Sequence, residues 1–318
     1  MRKLKLVFGL FLFIGLLHVW SGPADCGPRP ALEKVKVIII GDRLVDIAYN
    51  LGVVPEAMSV RCWSGISEKL STVQVLGCPR RVIIKDKETV AKTAAEKGIK
   101  RIMIEKNENF DIYLPPAAYP MKIVPLLKEK GLQVELVDFS KGIESAIRQT
   151  GKFLNLEEKA EALVTTYKTA LQKSKSKLPP KKLGKNVLIV KGILMEKSGK
   201  AFIQTLAPDG YADKFLLEPM GCNNVGNMVK SDGIKAKKGY FPLRNVENII
   251  NAQPDVIIIT GKSFAVEKML QKALKKNPSL REVPAIKNYE IYSLPGYMDE
   301  WVIEYPYILR LWISALYK

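Results

Sequence analysis

The sequence is almost without histidine. One stands in 318 residues, and it is His18, inside an N-terminal stretch that is expected to be removed. The mature chain is therefore expected to lack an imidazole, which excludes a Ser-His-Asp or Cys-His catalytic pair and any histidine metal ligand. Cysteine is scarce too, at four residues with no C-x-x-C or finger spacing, so a structural zinc module is not indicated. Beyond residue 20 there is no apolar run of membrane-spanning length. Acidic residues are outnumbered, 32 against 50 lysines and arginines, which gives a formal net charge of +18.

The long apolar run at the start has its own reading. Arg2, Lys3 and Lys5 precede Leu6 to Trp20, a run of about 15 residues, short of the roughly 20 that a spanning helix needs. With small residues following, this is expected to be a secretory signal occupying residues 1–25, with an uncleaved membrane anchor as the alternative. Cys26 invites lipidation, but Pro23-Ala24-Asp25 matches the lipidation pattern poorly.

Such a basic balance first suggests nucleic acid. The cations are spread along the chain, as in Lys122, Lys128, Lys168, Lys173, Lys272 and Lys276, and export removes that partner. No nucleic-acid binding is expected, and attraction to an anionic ligand or lipid surface is the better use of the charge.

What is present is an alternation of strand and helix signals. Val35 to Ile40 reads as a buried strand and Arg43 to Leu51 as a helix closed by Gly52. Strands follow at 57–60, 73–76, 101–105 and 133–138, with helices at 87–97 and 117–130, which predicts a parallel sheet covered on both faces. Residues 142–177 read as helix broken around Asn155, and Pro179-Pro180 ends it. The second half repeats the layout, with strands at 186–191, 201–204, 256–260 and 290–294 and helices at 210–220, 243–252, 265–276 and 301–317. The expected fold class is α/β, two Rossmann-like lobes joined by a single long backbone helix. The divisions are 31–141 for the first lobe, 142–180 for the connecting helices and 181–318 for the second lobe.

Four segments then carry a resemblance: VIIIGDRLVDIAYNLG at 37–52, the helical stretch 151–177, VENIINAQPDVIII at 246–259, and VPAIKNYEIYSLP at 283–295 with Tyr289 where glycine is usual. In this order and spacing the chain resembles the helical-backbone periplasmic binding proteins that serve ferric-siderophore, haem and cobalamin ABC importers. The resemblance implies a monomeric extracytoplasmic binding protein, at the periplasm or the outer face of the cytoplasmic membrane. It would capture an iron chelate, haem or corrinoid between its lobes and deliver it to an ABC importer permease. It also implies one acidic docking residue on each lobe, for which Glu88 and Glu247 are the candidates. No enzymatic activity and no resident cofactor are expected, since no nucleophile elbow or paired catalytic motif is present; an exported enzyme is the remote alternative.

Ligands of open α/β lobes sit at the carboxyl ends of the strands. That rule selects Arg43, Arg61, Cys62, Trp63, Cys78 and Arg80 in the first lobe, and Cys222, Asn223, Lys262, Tyr297 and Trp301 in the second. Arginines suit carboxylates or catecholates, and Trp63 or Tyr297 suits a flat chelate. Cys62, Cys78 and Cys222 leave two readings open: thiolates holding a soft metal across the cleft, or a Cys62–Cys78 disulfide with Cys222 buried as a small hydrophobe.

Overall fold

The computed structural model describes residues 32–61, 65–195 and 198–318. The expected signal segment, Cys26, Cys62 and Trp63 lie outside the described residues.

The first lobe is built on five parallel strands: β1 (Glu33–Ile40), β2 (Val53–Ser59), β3 (Gln74–Gly77), β4 (Arg101–Lys106) and β5 (Gln133–Asp138), in the order β3-β2-β1-β4-β5. The β-branched run in β1 explains the layering. Successive side chains point to opposite faces, so Val37 and Ile39 enter one core while Ile38 and Ile40 enter another. The helices are α1 (Asp42–Asn50), α2 (Ile66–Lys69), α3 (Thr89–Lys97) and α4 (Val124–Glu129). The helix expected over 117–130 is only this last piece, because Pro116 and Pro120 hold the approach to it in two tight turns.

Two helices follow, α5 (Ile143–Leu154) and α6 (Glu157–Lys175), separated where Asn155 takes the left-handed conformation at φ 57°. At 1.5 Å per residue, α6 extends about 28 Å. Ala160, Val164 and Tyr167 pack it into the first-lobe core, and in its last turn Ser174 donates a 2.6 Å hydrogen bond to the carbonyl of Pro306 in the second lobe.

The second lobe contains β6 (Asn186–Met195), β7 (Lys200–Leu206), β8 (Asn223–Asn224), β9 (Tyr240–Pro242), β10 (Val256–Gly261) and β11 (Ile291–Ser293). Its sheet runs β11-β10-β6-β7-β9, with β8 beside β6. The expectation of a repeated parallel sheet is corrected here: β7 pairs antiparallel with both β6 and β9. The sequence leaves only four residues between β6 and β7, too few for the crossover that parallel pairing needs. Around the sheet lie α7 (Ile249–Ala252), α8 (Ser263–Lys276), α9 (Pro284–Lys287) and α10 (Tyr305–Leu316). Leu188, Ile257 and Ile259 face α8 and α9, while Val187, Ile189 and Ile258 face α10, whose Trp312 is fully buried and donates to the carbonyl of Pro295 at 2.9 Å. The helix expected over 210–220 is a wide turn at 213–217 and a tight one at 218–220; that over 243–252 is a tight turn leading into α7.

A second crossing joins the lobes. Between β11 and α10, Val302 enters the first-lobe core, Trp301 and Ile303 pack against it, and the backbone N–H of Ile303 donates to Asp46 on α1 at 2.9 Å.

Candidate functional site: the cleft between the lobes

The carboxyl ends of the central strands carry the chemistry. Gly41 ends β1 at φ 130°, and its missing side chain lets Glu105 at the end of β4 come against the backbone. Next along α1, Arg43 is buried between Glu105 and Asp299; it donates to Glu105 Oε1 at 2.6 Å and to Asp299 Oδ2 at 3.0 Å. Arg61, after β2, is only 1% exposed. It donates to Asp42 Oδ2 at 2.8 Å, to the Tyr211 hydroxyl at 3.1 Å and to the carbonyl of Asp299 at 3.1 Å, while its backbone N–H donates to Asp42 Oδ1 at 2.9 Å. Asp111 lies 3.8 Å from the same guanidinium and accepts from Tyr211 at 3.3 Å. Charges taken from water need partners, and here the partners come from both lobes.

Two arginines thus share the buried floor with five carboxylates, Asp42, Glu105, Asp111, Asp299 and Glu300. Burial pushes Glu105 up to about 7 despite Arg43 beside it, and Glu300 also to about 7 despite Arg61. Burial raises Asp111 as well.

Beside this floor opens a cavity of about 520 Å³ between the lobes, within the span common for small-molecule sites. Gly65, Ser67 and Glu68 bring the first lobe to it; Lys191 to Leu194 at the end of β6, Thr260 to Lys262 at the end of β10, Tyr240 and the segment from Gly296 to Trp301 bring the second. Gly192 is required, because a Cβ there would run into the carbonyl of Lys262. The Lys191 ammonium lies 4.9 Å from the centre of the Tyr240 ring and is pushed down by burial. The Tyr240 hydroxyl donates to the Met298 sulfur at 3.3 Å. Trp301 carries the Lys69 ammonium 4.3 Å above its ring.

Of the residues selected from sequence, Lys262 and Trp301 line the cavity. Arg43 and Arg61 lie under the floor, held in ion pairs. Tyr297 is buried, edge-on to Phe215 and tilted against Tyr305, and donates to Asp299 Oδ1 at 3.2 Å. Cys78 and the exposed Arg80 follow the edge strand β3. Cys222 and Asn223 are misplaced by the strand-end rule: β8 pairs with the beginning of β6, at the far end of the sheet from the cavity, and Cys222 is buried in the apolar core with its thiol pushed up by burial. Cys222 therefore lies away from the cleft, and the described residues hold no cluster of three potential metal ligands of the His, Cys, Asp and Glu type. Glu88 is half-buried and 3.5 Å from Lys130; Glu247 is held by Lys276 at 2.6 Å. Lys191, Tyr240 and Glu300 escaped the sequence reading. Lys191 ends the strand expected over 186–191, so the strand-end rule could have pointed to it.

Two α/β lobes bridged by helix, with a polar-floored cavity at their strand ends, define a cleft-type ligand-binding protein. The chain belongs to the periplasmic binding protein family, whose model matches residues 126–298. It is 29% identical over 178 residues to the high-affinity heme uptake system protein IsdE of Staphylococcus aureus, and the match spans 54% of each chain, so the chain aligns with about half the length of that curated relative. The fold is also that of the periplasmic heme-binding protein RhuT from Roseiflexus sp. RS-1 in apo form, at 17% identity, TM-score 0.54, and coverage of 90% of this chain and 98% of that one. The periplasmic heme-binding protein HutB of Vibrio cholerae gives a TM-score of 0.51 at 19% identity, covering 88% of this chain and 99% of its own. None of the helices among the described residues is long and apolar enough to cross a membrane.

Proposed function

We propose that this chain is the extracytoplasmic substrate-binding component of an ABC importer, and that the cavity between its lobes captures an iron chelate, with ferric haem as the leading candidate. The observation that carries the reading is the 520 Å³ cavity at the strand ends, with an aromatic wall and a cationic rim. Trp301 and Tyr240 offer flat apolar faces, Lys191 and Lys262 attract peripheral carboxylates, and the Tyr240 oxygen and Met298 sulfur are groups that ligate haem iron. The heme-uptake relative and the heme-binding structures of the same fold support the choice of ligand.

In this reading residues 1–25 direct export, the lobes at 31–141 and 181–318 close on the ligand as a monomer, and the helices of 142–180 limit the hinge. Glu88 and Glu247, one on each lobe, are the carboxylates offered to arginines of the permease; the ion pairs they make now are exposed and cheap to exchange.

Titration of the purified mature protein with ferric haem, followed by absorption, tests the assignment. One equivalent should shift the haem band, and Tyr240→Phe and Met298→Ala should each change its position. A spectrum identical to free haem, together with binding of an iron-free corrinoid or of no chelate, defeats the ligand assignment.

A further inference from the structure

Tyr211 belongs to the second lobe, yet its hydroxyl is satisfied by the first. It accepts from Arg61 at 3.1 Å and from the backbone N–H of Ile112 at 3.2 Å, and it donates to Asp111 Oδ1 at 3.3 Å. Asp111 Oδ1 also accepts from the backbone N–H of Tyr113 at 2.8 Å, which holds residues 111–113 as a turn against the second lobe. The Tyr113 ring meets Tyr211 edge-on at 5.6 Å, and Tyr211 stacks on Phe215. Gly210 and Gly239 leave the room that Tyr113 fills, since a Cβ on either would run into its hydroxyl.

This contact differs in kind from the links through Asp299, Ile303 and Ser174, which lie on segments that pass between the lobes. Tyr211 and the 111–113 turn lie on no crossing segment, so they can part without unfolding one. Tyr211 is 4% exposed and Asp111 is fully buried, so parting them breaks hydrogen bonds that water cannot replace until it has entered. The contact also reaches the cavity. Tyr113 rests on Gly239, and the next residue, Tyr240, is part of the cavity wall, so widening the cavity on that side requires Tyr113 to leave. Every partner in the contact comes from the chain itself. It therefore closes in the same way whether or not a ligand is held, and it bears on how fast a ligand enters and leaves rather than on how tightly it is kept.

We propose that Tyr211 and the 111–113 turn form an interlobe latch that must release for ligand exchange. This rests on the cavity being the chelate site.

The test reads the latch with and without ligand. In hydrogen exchange of the mature protein alone, the Ile112 amide, which donates across the lobes, should be protected in the wild type; it should exchange about tenfold faster in Tyr211→Phe and in Tyr113→Ala. In stopped-flow mixing with ferric haem, both variants should raise association and dissociation together, by about tenfold each, so that the dissociation constant moves far less than either rate. Tyr113→Ala keeps the Tyr211 hydroxyl and carries the test should Tyr211→Phe fail to fold. Unchanged haem rates in variants whose Ile112 amide exchanges fast overturn the proposal, because the contact then opens without governing exchange. So does a rise in dissociation alone, which makes the contact part of the grip on the ligand, and so does an Ile112 amide that is unprotected in the wild type or unaltered in the variants. Wild-type protein that binds no haem removes the chelate site and the exchange role with it, while the Ile112 result still reports whether the lobes are latched.

Discussion

Asp46, Glu105 and Glu300 are three buried carboxyls that hold their protons to about pH 7 because burial outweighs the partners each one has. Asp46 faces Glu304 and Lys69, Glu105 faces Arg43, Arg61 and Asp42, and Glu300 faces Arg61, Asp42 and Asp299. Between their ordinary range near 4 and about 7, the folded chain binds more protons than the unfolded one, so stability should fall as pH rises through that window. Thermal midpoints measured from pH 4.5 to 8 should decline, and Glu300→Gln should flatten part of the slope. Asp138 acts in the opposite sense: hydrogen bonds from Ser140 and Lys106 hold it down at about 2, so its contribution is lost only as pH falls below 4 toward that value. Arg61 is the residue with most to lose. Arg61→Ala strands Asp42 and Asp111 in the interior and should cost about 3–5 kcal/mol in urea unfolding.

Among the elements, the breaks are the informative places. Asn155 and Tyr289 both sit in the left-handed region, at φ 57° and 59°. Asn155→Ala should cost about 1 kcal/mol and Asn155→Gly very little, while Tyr289→Gly, at an exposed position, should raise the unfolding midpoint. Gly192→Ala should destabilise by about 1–3 kcal/mol and weaken haem binding, because the added methyl meets the Lys262 carbonyl at the cavity wall. Much of this was legible in sequence. The VKVIII run, the Asn155 break and the Gln253-Pro254 stop before β10 follow from local rules of propensity and φ, while the left-handed position of Tyr289 was marked by the family resemblance, in which glycine is usual there. The site was legible only in part. Lys262 follows a strand and was found, and Trp301 precedes a helix and was found. Lys191 stood at the carboxyl end of the strand expected over 186–191 and was passed over as its last strand residue, and Cys222 was over-read because it follows a helix end and lies at the start of a strand. Tertiary burial likewise turned Arg43 and Arg61 from ligand candidates into partners of buried carboxylates, which no spacing announces.

At the scale of the molecule, the charge is arranged in two signs: a strongly basic chain around an acidic cleft floor. Association of ferric haem should therefore slow as salt is raised from 0.05 to about 0.5 M, with dissociation little changed, in stopped-flow measurements. Motion between the lobes is restrained by α6, by the arginines anchored on Asp299 and by the 301–303 segment, so saturation with haem should shrink the radius of gyration only slightly in X-ray scattering. That last segment also sets an order in time. Asp46 finds its backbone partner 257 residues further along, and Val302 fills the core that β1 begins. A chain delivered from its first residue onward cannot finish its earliest half until nearly the last of it has arrived, so the two halves become native together, late and as one event.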